Sequence, residues 1–401
     1  MSIFLEVKIK GDVPVTGYLA LDSFVGGAAH GGLRMTDDIS ADLLQRAAHT
    51  MTLKYGWARL PVGGAKAGIH ITPGSNAAER TSALRKFGQA IGPYLRTGMY
   101  VPGEDMGSTE ADIEILLASA GLRPLPESLI YTTSGMYTGV GVYAAGVAAA
   151  LSLGLACKGL KVTIEGLGNV GSSAAKWFHD AGARVIAVST INGTLLNENG
   201  LNVPQLLSER QALGDEVVLQ SGFGDALPPE SLVHIPTDIL CPCAIMHSIT
   251  IDNAGSIIAS VICPGANVPM TDEAEEKLLN RGVLLLPDFV ANCGGILGSS
   301  MSRAGLRREQ VATIVSRRVA HETTNLIGTA RQVKRSLNSV AIETATQRFL
   351  EAKSRYEHRS PARVLIRAAV GIYRRGLIPR PLLRPIGRWY YDNRFRTQDT
   401  M

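Results

Sequence analysis

Apolar positions recur at helical spacing over residues 41–57, where Leu43, Leu44, Ala47, Ala48, Met51 and Leu53 share a face and Ser40 stands at the N-cap. Asn76 and Glu79 form a capping-box pattern that predicts a second helix reaching about Tyr94. Ser108, followed by acidic residues at 110–112, predicts the start of a third. Ahead of these, residues 13–24 mix β-branched and aromatic residues, and Gly26-Gly27 and Gly31-Gly32 then interrupt them, a pattern of strands with close turns. From Lys161 the texture changes: a short β-branched strand runs to Glu165, a glycine-rich turn spans 166–171, and helix-forming residues and a second strand at 184–189 follow. Later apolar runs at 237–240, 260–262 and 283–286 supply further parallel strands, so this half reads as a doubly wound α/β domain. Beyond about residue 298 the pattern is helical.

The chain has 401 residues, 45% hydrophobic and 19% charged, enough for a sizeable core divided into two or three domains and incompatible with general disorder. No apolar run reaches the roughly 18 residues of a membrane span, and the first ten residues lack the layout of a secretory signal. Five cysteines are an odd, sparse set that fits a reducing compartment, so a cytoplasmic location is expected. The net charge of +5 is unevenly spread. From Arg355 onward eleven arginines face three acidic residues, a local charge of +8 that leaves the first 354 residues at −3. This basic tail, interleaved with aromatics, has the composition of a nucleic-acid or membrane contact, although packing at a subunit interface is the preferred reading.

Two constellations carry candidate chemistry. Gly166, Leu167, Gly168, Asn169, Val170 and Gly171 follow a strand and precede a helix, as the dinucleotide fingerprint requires, so their backbone can approach a pyrophosphate. The acidic residue expected at the end of the next strand is replaced by Thr190. That removes repulsion against a 2′-phosphate without supplying an arginine to clamp one, and the choice between NAD and NADP stays open. The second constellation joins Lys54, Lys66 among Gly63, Gly64 and Gly68, and Glu104-Asp105. Each lysine alone reads as a surface charge; together, two lysines and a carboxylate can converge on one anionic substrate. Cys241 and Cys243 with His247 make an incomplete zinc set, and no metal is expected.

The ordered set GGLRM, MTLK, PVGGAKAGI, EDMG, TGVGV, GLGNVG, CPGAN and ANCGG resembles the glutamate/leucine/phenylalanine/valine dehydrogenase family over about residues 16–350. The resemblance implies an enzyme that closes a cleft over an amino acid and NAD or NADP, interconverting an L-amino acid with a 2-oxo acid and ammonia as a homo-oligomer. It implies an α/β fold of two domains: an N-terminal substrate-binding and oligomerisation domain (1–135) and a Rossmann-type domain (136–325). Helices at 326–354 return to the first domain, and the extension at 355–401 lies outside the resemblance. It further implies that Lys66 is the catalytic lysine and Asp105 its proton-shuttling partner, that Lys54 binds the substrate α-carboxylate, and that Glu104 belongs to the same site. Thr138, Asn169, Asn267 and Asn292 match cofactor-side positions. His30 stands where glutamate-specific members carry a lysine, which points to an apolar or aromatic side chain, whereas Ser299 falls where glutamate enzymes place a hydroxyl. The competing class is a non-catalytic binding or scaffold protein that keeps the fold and uses its basic tail for a partner.

Overall fold

The computed structural model describes residues 2–122 and 134–357, together with Pro385 and Tyr391. It divides at 132/133 and 342/343 into two compact units. The basic extension, apart from its first three residues and those two positions, lies outside the described residues.

The first unit contains β1 (Ile3–Ile9), β2 (Val15–Leu21), β3 (Ala29–Thr36), α1 (Ala41–Trp57), β4 (Gly63–His70), α2 (Ala77–Ala90), α3 (Gly92–Arg96), β5 (Tyr100–Glu104) and α4 (Glu110–Ser119). Its sheet has the order β1-β2-β4-β3-β5, antiparallel from β1 to β4 and parallel from β4 to β5. Strand β4 lies at the centre and is buried along its length except at His70, which matches its run of glycine, alanine and isoleucine around one lysine. Leu19, Leu33, Ala67, Ile69, Leu84, Phe87 and Leu116 form the core beneath it.

Local sequence signals account for most of these helices. Ser40 caps α1 by accepting the Leu43 N–H, and the Asn76–Glu79 capping box closes in both directions. The helix expected to run to Tyr94 instead breaks after Ala90 and restarts at Gly92, because Pro93 has no N–H and its ring collides with the carbonyl one turn back. The cap of α4 is Thr109, in a box with Asp112, rather than Ser108, whose hydroxyl is used elsewhere.

The second unit begins with α5 (Ser134–Ser152), β6 (Lys161–Glu165), α6 (Asn169–Asp180), β7 (Arg184–Thr190), β8 (Gly193–Leu196), α7 (Val203–Leu213), α8 (Val217–Gln220) and β9 (Asp225–Leu227). It continues with β10 (Thr237–Pro242), α9 (Ile251–Ala254), β11 (Ala259–Ile262), α10 (Asp272–Asn280), β12 (Leu284–Leu285), α11 (Asp288–Ala291), α12 (Gly294–Arg303) and α13 (Arg308–Val333). Helix α14 (Leu337–Glu357) starts here, and from Glu343 belongs to the first unit. The sheet order is β12-β11-β10-β6-β7-β8-β9, with the five strands from β12 to β7 parallel and β8 and β9 added antiparallel at one edge. The three later parallel strands fall on the apolar runs read from the sequence. The edge pair was not expected, since β8 and β9 are only four and three residues long and turn-forming Asn192 and Asn197 flank β8.

Helix α5 is long and apolar enough to cross a bilayer, but it is mostly buried as the core helix of its unit, packed on α6, α12 and α13. Glycines permit that approach. A Cβ on Gly139 would lie 2.5 Å from the Val170 carbonyl oxygen, and one on Gly294 would lie 2.1 Å from that of Tyr137. Gly328 on α13 faces open space. Gly139→Ala is therefore expected to destabilise by about 1–3 kcal/mol through overpacking. Gly328→Ala should stabilise by about 0.5–1 kcal/mol through helix propensity. Denaturant unfolding of the two variants measures both, and equal effects would show that the glycine does not set the α5–α6 spacing.

Candidate active site

In the first unit the parallel register of β4, β3 and β5 sets Leu33 opposite both Ala67 and Glu104, so Lys66 and Asp105 each follow or precede a paired position by one residue. Lys66 Nζ lies 2.9 Å from Asp105 Oδ2, and Arg34 Nε donates to the same oxygen at 3.2 Å. The three side chains are 5%, 13% and 4% exposed, so two cations and one carboxylate share a nearly dry site. Burial pushes the Asp105 pKa up, but the Lys66 and Arg34 charges outweigh it and hold the carboxyl below its ordinary range. Asp105 is thus an acceptor-only carboxylate in direct contact with an amine, an arrangement able to pass a proton between them without bulk water.

Two features of the backbone keep the group in place. A Cβ on Gly31 would fall 1.6 Å from the Ala65 carbonyl oxygen, and one on Gly32 would meet the Asp105 Cβ at 2.8 Å, so both glycines permit the close approach. Ser108 Oγ accepts the Asp105 N–H at 3.0 Å and donates to the Leu33 carbonyl at 2.6 Å, tying the Asp105 turn to β3. Gly107, at φ +74°, completes that turn under the Met35 carbonyl. Neither Arg34 nor Ser108 was singled out as a site residue from the sequence. Arg34 lay within the GGLRM motif, but its ion pair depends on strand pairing, and Ser108 carried the signature of a helix cap.

Lys54 is buried in the last turn of α1, and His30 on β3 is half-buried with its ring edge-on to Tyr55. Glu104 ends β5 with most of the residue open to solvent, but its carboxyl is partly desolvated, and that together with the nearby Glu110 raises its pKa. Ser299 belongs to the second unit, buried on α12.

There, the glycine turn has the expected form. Gly166 adopts φ +82°, and a Cβ on Gly171 would sit 1.8 Å from the Gly166 carbonyl oxygen, whereas Gly168 opens to free space. The N-terminus of α6 carries no side-chain cap, so its first amides are directed to the space a pyrophosphate fills, and the turn fits a dinucleotide. Leu167 is buried under the turn, Asn169 and Val170 open the helix, and Asn169 packs against Gly135. Asn292, 3% exposed, donates to the Ala266 carbonyl at 3.2 Å and to Asn267 Oδ1 at 3.0 Å, which fixes the 265–267 loop. Its own Oδ1 is buried with no partner among the described residues. The Thr138 hydroxyl bonds back to Ser134 within α5. Thr190 is buried, with its hydroxyl engaged by the fold.

Cys241, Cys263 and Cys293 are buried, and burial together with the neighbouring Cys263 raises the Cys241 thiol. Among the described residues no three His, Cys, Asp or Glu side chains assemble as a metal site.

A dinucleotide turn in one, doubly wound unit and a buried amine–carboxylate pair in the other define a nicotinamide-dependent oxidoreductase of two-domain α/β architecture. The chain belongs to the glutamate/leucine/phenylalanine/valine dehydrogenase family: residues 132–356 match the profile of that name and residues 2–120 match the Glu/Leu/Phe/Val dehydrogenase dimerisation domain. It is accordingly an amino acid dehydrogenase acting on a CH–NH2 group with NAD or NADP. The catabolic NAD-specific glutamate dehydrogenase of Bacillus subtilis is 33% identical over 314 residues, 74% of this chain and 72% of that protein. An NAD-specific glutamate dehydrogenase of Staphylococcus aureus is 32% identical over 293 residues, 70% of each. Among solved structures, the hetero-hexameric glutamate dehydrogenase of Thermus thermophilus in its Leu-bound form superposes with a TM-score of 0.75 at 25% identity, covering 90% of both chains.

At the foot of the glycine turn, burial pushes the Glu165 carboxyl up to about 7, against the Ser248 hydroxyl that donates to it at 2.8 Å. The folded protein keeps this proton to about pH 7, whereas the unfolded chain releases it near 4.5, so stability falls as pH rises through that window and levels off above it. Glu165→Gln, neutral at every pH, is expected to gain on the wild type by roughly 3 kcal/mol between pH about 4.5 and about 8. Denaturant unfolding at the two pH values reads the gain, and a gap independent of pH would refute a neutral Glu165.

Proposed function

We propose that the chain catalyses the reversible oxidative deamination of L-glutamate to 2-oxoglutarate and ammonia, with NAD as its cofactor. The observation that carries this reading is the buried Lys66–Asp105 pair, 2.9 Å apart, in a chain 33% identical to an NAD-specific glutamate dehydrogenase. His30 in place of a lysine favoured an apolar or aromatic side chain on sequence alone. The relatives, named as glutamate dehydrogenases, move the reading to a side-chain carboxylate, with His30 and Ser299 as its candidate partners.

In this mechanism Lys54 binds the substrate α-carboxylate and Glu104 stands at the same site. The nicotinamide, when bound, supplies hydride acceptance and return. The residues of the chain handle the protons: loss of hydride from the α-carbon leaves an iminium, water held by the Lys66 ammonium adds to it as Asp105 takes the proton, and Asp105 returns that proton to the departing ammonia. Arg34 orients Asp105 and favours its ionised form between these transfers. On the cofactor side, the turn at 166–171 holds the pyrophosphate, while Thr138, Asn169, Asn267 and Asn292 shape the nicotinamide half. Convergence of Lys66 and Asp105 weighs against the alternative of a non-catalytic scaffold.

A homo-oligomer is proposed from the match of the first unit to a dimerisation domain. The cytoplasm is the proposed compartment, since all five cysteines are thiols.

Absorbance of NADH at fixed ammonia, with 2-oxoglutarate and the 2-oxo acids of leucine and phenylalanine, tests the substrate. The highest kcat/KM is expected for 2-oxoglutarate, and a preference for either apolar acid would overturn the glutamate reading. Lys66→Ala should lower kcat by about 10²–10⁴-fold with NADH binding retained. Lys54→Ala should mainly raise KM, by about 10–100-fold, as expected for a lost charge-assisted hydrogen bond. Equal, small effects from both would remove these assignments.

A further inference from the structure

Dinucleotide-binding units hold the adenosine ribose at the end of the second strand of the fold, where an acidic side chain selects NAD. Here that strand is β7 and its last residue, Thr190, has no charge. Its hydroxyl donates to the Asp215 carbonyl oxygen at 2.8 Å and accepts the Asn192 N–H at 3.2 Å. Those bonds bring a second segment to the strand end. Residues Gly214–Glu216 form a single 3-10 turn with Gly214 at φ +57°, and the Asn192 side-chain amide donates to Glu216 Oε1 at 2.8 Å. Asp215 and Glu216 are both exposed.

The place is adjacent to the dinucleotide turn, because the Gly166 N–H donates at 3.1 Å to the carbonyl of Ser189, one residue before Thr190. Ile191, next along the chain, is 83% exposed and presents an apolar surface suited to a nucleobase. Arg210 Nη2 lies 3.5 Å from Asp215 Oδ1 and pairs with that carboxylate. The turn therefore carries two exposed carboxylates, one paired with a guanidinium and the other with the Asn192 amide.

We propose that Asp215 and Glu216 set the cofactor choice of this enzyme, supplying from a neighbouring turn the negative charge that Thr190 lacks. Ribose hydroxyls can donate charge-assisted hydrogen bonds to these carboxylates, whereas the 2′-phosphate of NADP, carrying about 1.5–2 negative charges, is repelled by them. Thr190 acts as a positioning residue that ties the turn to the strand. This inference rests on the NAD reading above.

Calorimetric binding of ADP-ribose and of 2′-phospho-ADP-ribose to the full chain tests it apart from turnover, since neither probe carries a nicotinamide. The wild type should bind ADP-ribose at least about tenfold more tightly. Glu216→Gln, and Asp215→Asn, which also releases Arg210, should each reduce that ratio, and the double variant should bring it near one, chiefly by tighter binding of the phosphorylated probe. A wild-type preference for ADP-ribose that the double variant preserves would overturn the assignment while leaving the NAD reading intact. A wild-type preference for the phosphorylated probe would overturn both. The side chains are exposed, and retained binding of ADP-ribose by the variants reports that the unit is folded.

Discussion

Burying Lys66 and Arg34 beside one carboxylate is the constraint on which the first unit depends. A charge removed from water costs several kcal/mol unless it is paired, and here Asp105 is the partner seen for both cations at 2.9 and 3.2 Å. The cost is met by backbone that comes unusually close. Parallel pairing of β3 with β4 and β5 brings the three residues together, Gly31 and Gly32 remove the Cβ atoms that would block it, and Ser108 anchors the turn from below. The same pairing keeps Asp105 ionised, so one arrangement both offsets the burial of the two cations and sets a charged acceptor against Lys66.

The second unit solves a different problem, close approach without charge. Gly139, Gly141 and Gly294 let α5 lie against the glycine turn side of α6 and against α12, while Gly171 nests on the Gly166 carbonyl. Asn292 then pins the 265–267 loop with its amide. Rigid placement of these loops by packed helices lowers the entropy lost when a dinucleotide binds.

Much of this was legible in the sequence where signals are local. The Ser40 and Asn76 caps, the strand–turn–helix around 166–171 and the later parallel strands need only nearest neighbours and periodicity. What was not legible depends on distant partners. Strand β4 contains three glycines and two alanines among eight residues, poor strand formers, and becomes a central strand only because both faces are covered. Ser108 and Thr109 compete for one cap, and the loser is decided by the Leu33 carbonyl, 75 residues away. Thr190 reads as a missing carboxylate until the Gly214–Glu216 turn is seen against it. The family resemblance located Lys66 and Asp105, but the part of Arg34 in their electrostatics required the sheet.

The central claim is that an ionised Asp105 in contact with Lys66 moves the protons of the reaction. Single-turnover oxidation of NADH by Asp105→Asn, with 2-oxoglutarate and ammonia in excess, tests it most directly, with NADH binding measured alongside to show an intact second unit. The account predicts a fall of about 10²–10⁴-fold in the rate with NADH binding unchanged. A variant that binds NADH and turns over at close to the wild-type rate would contradict it.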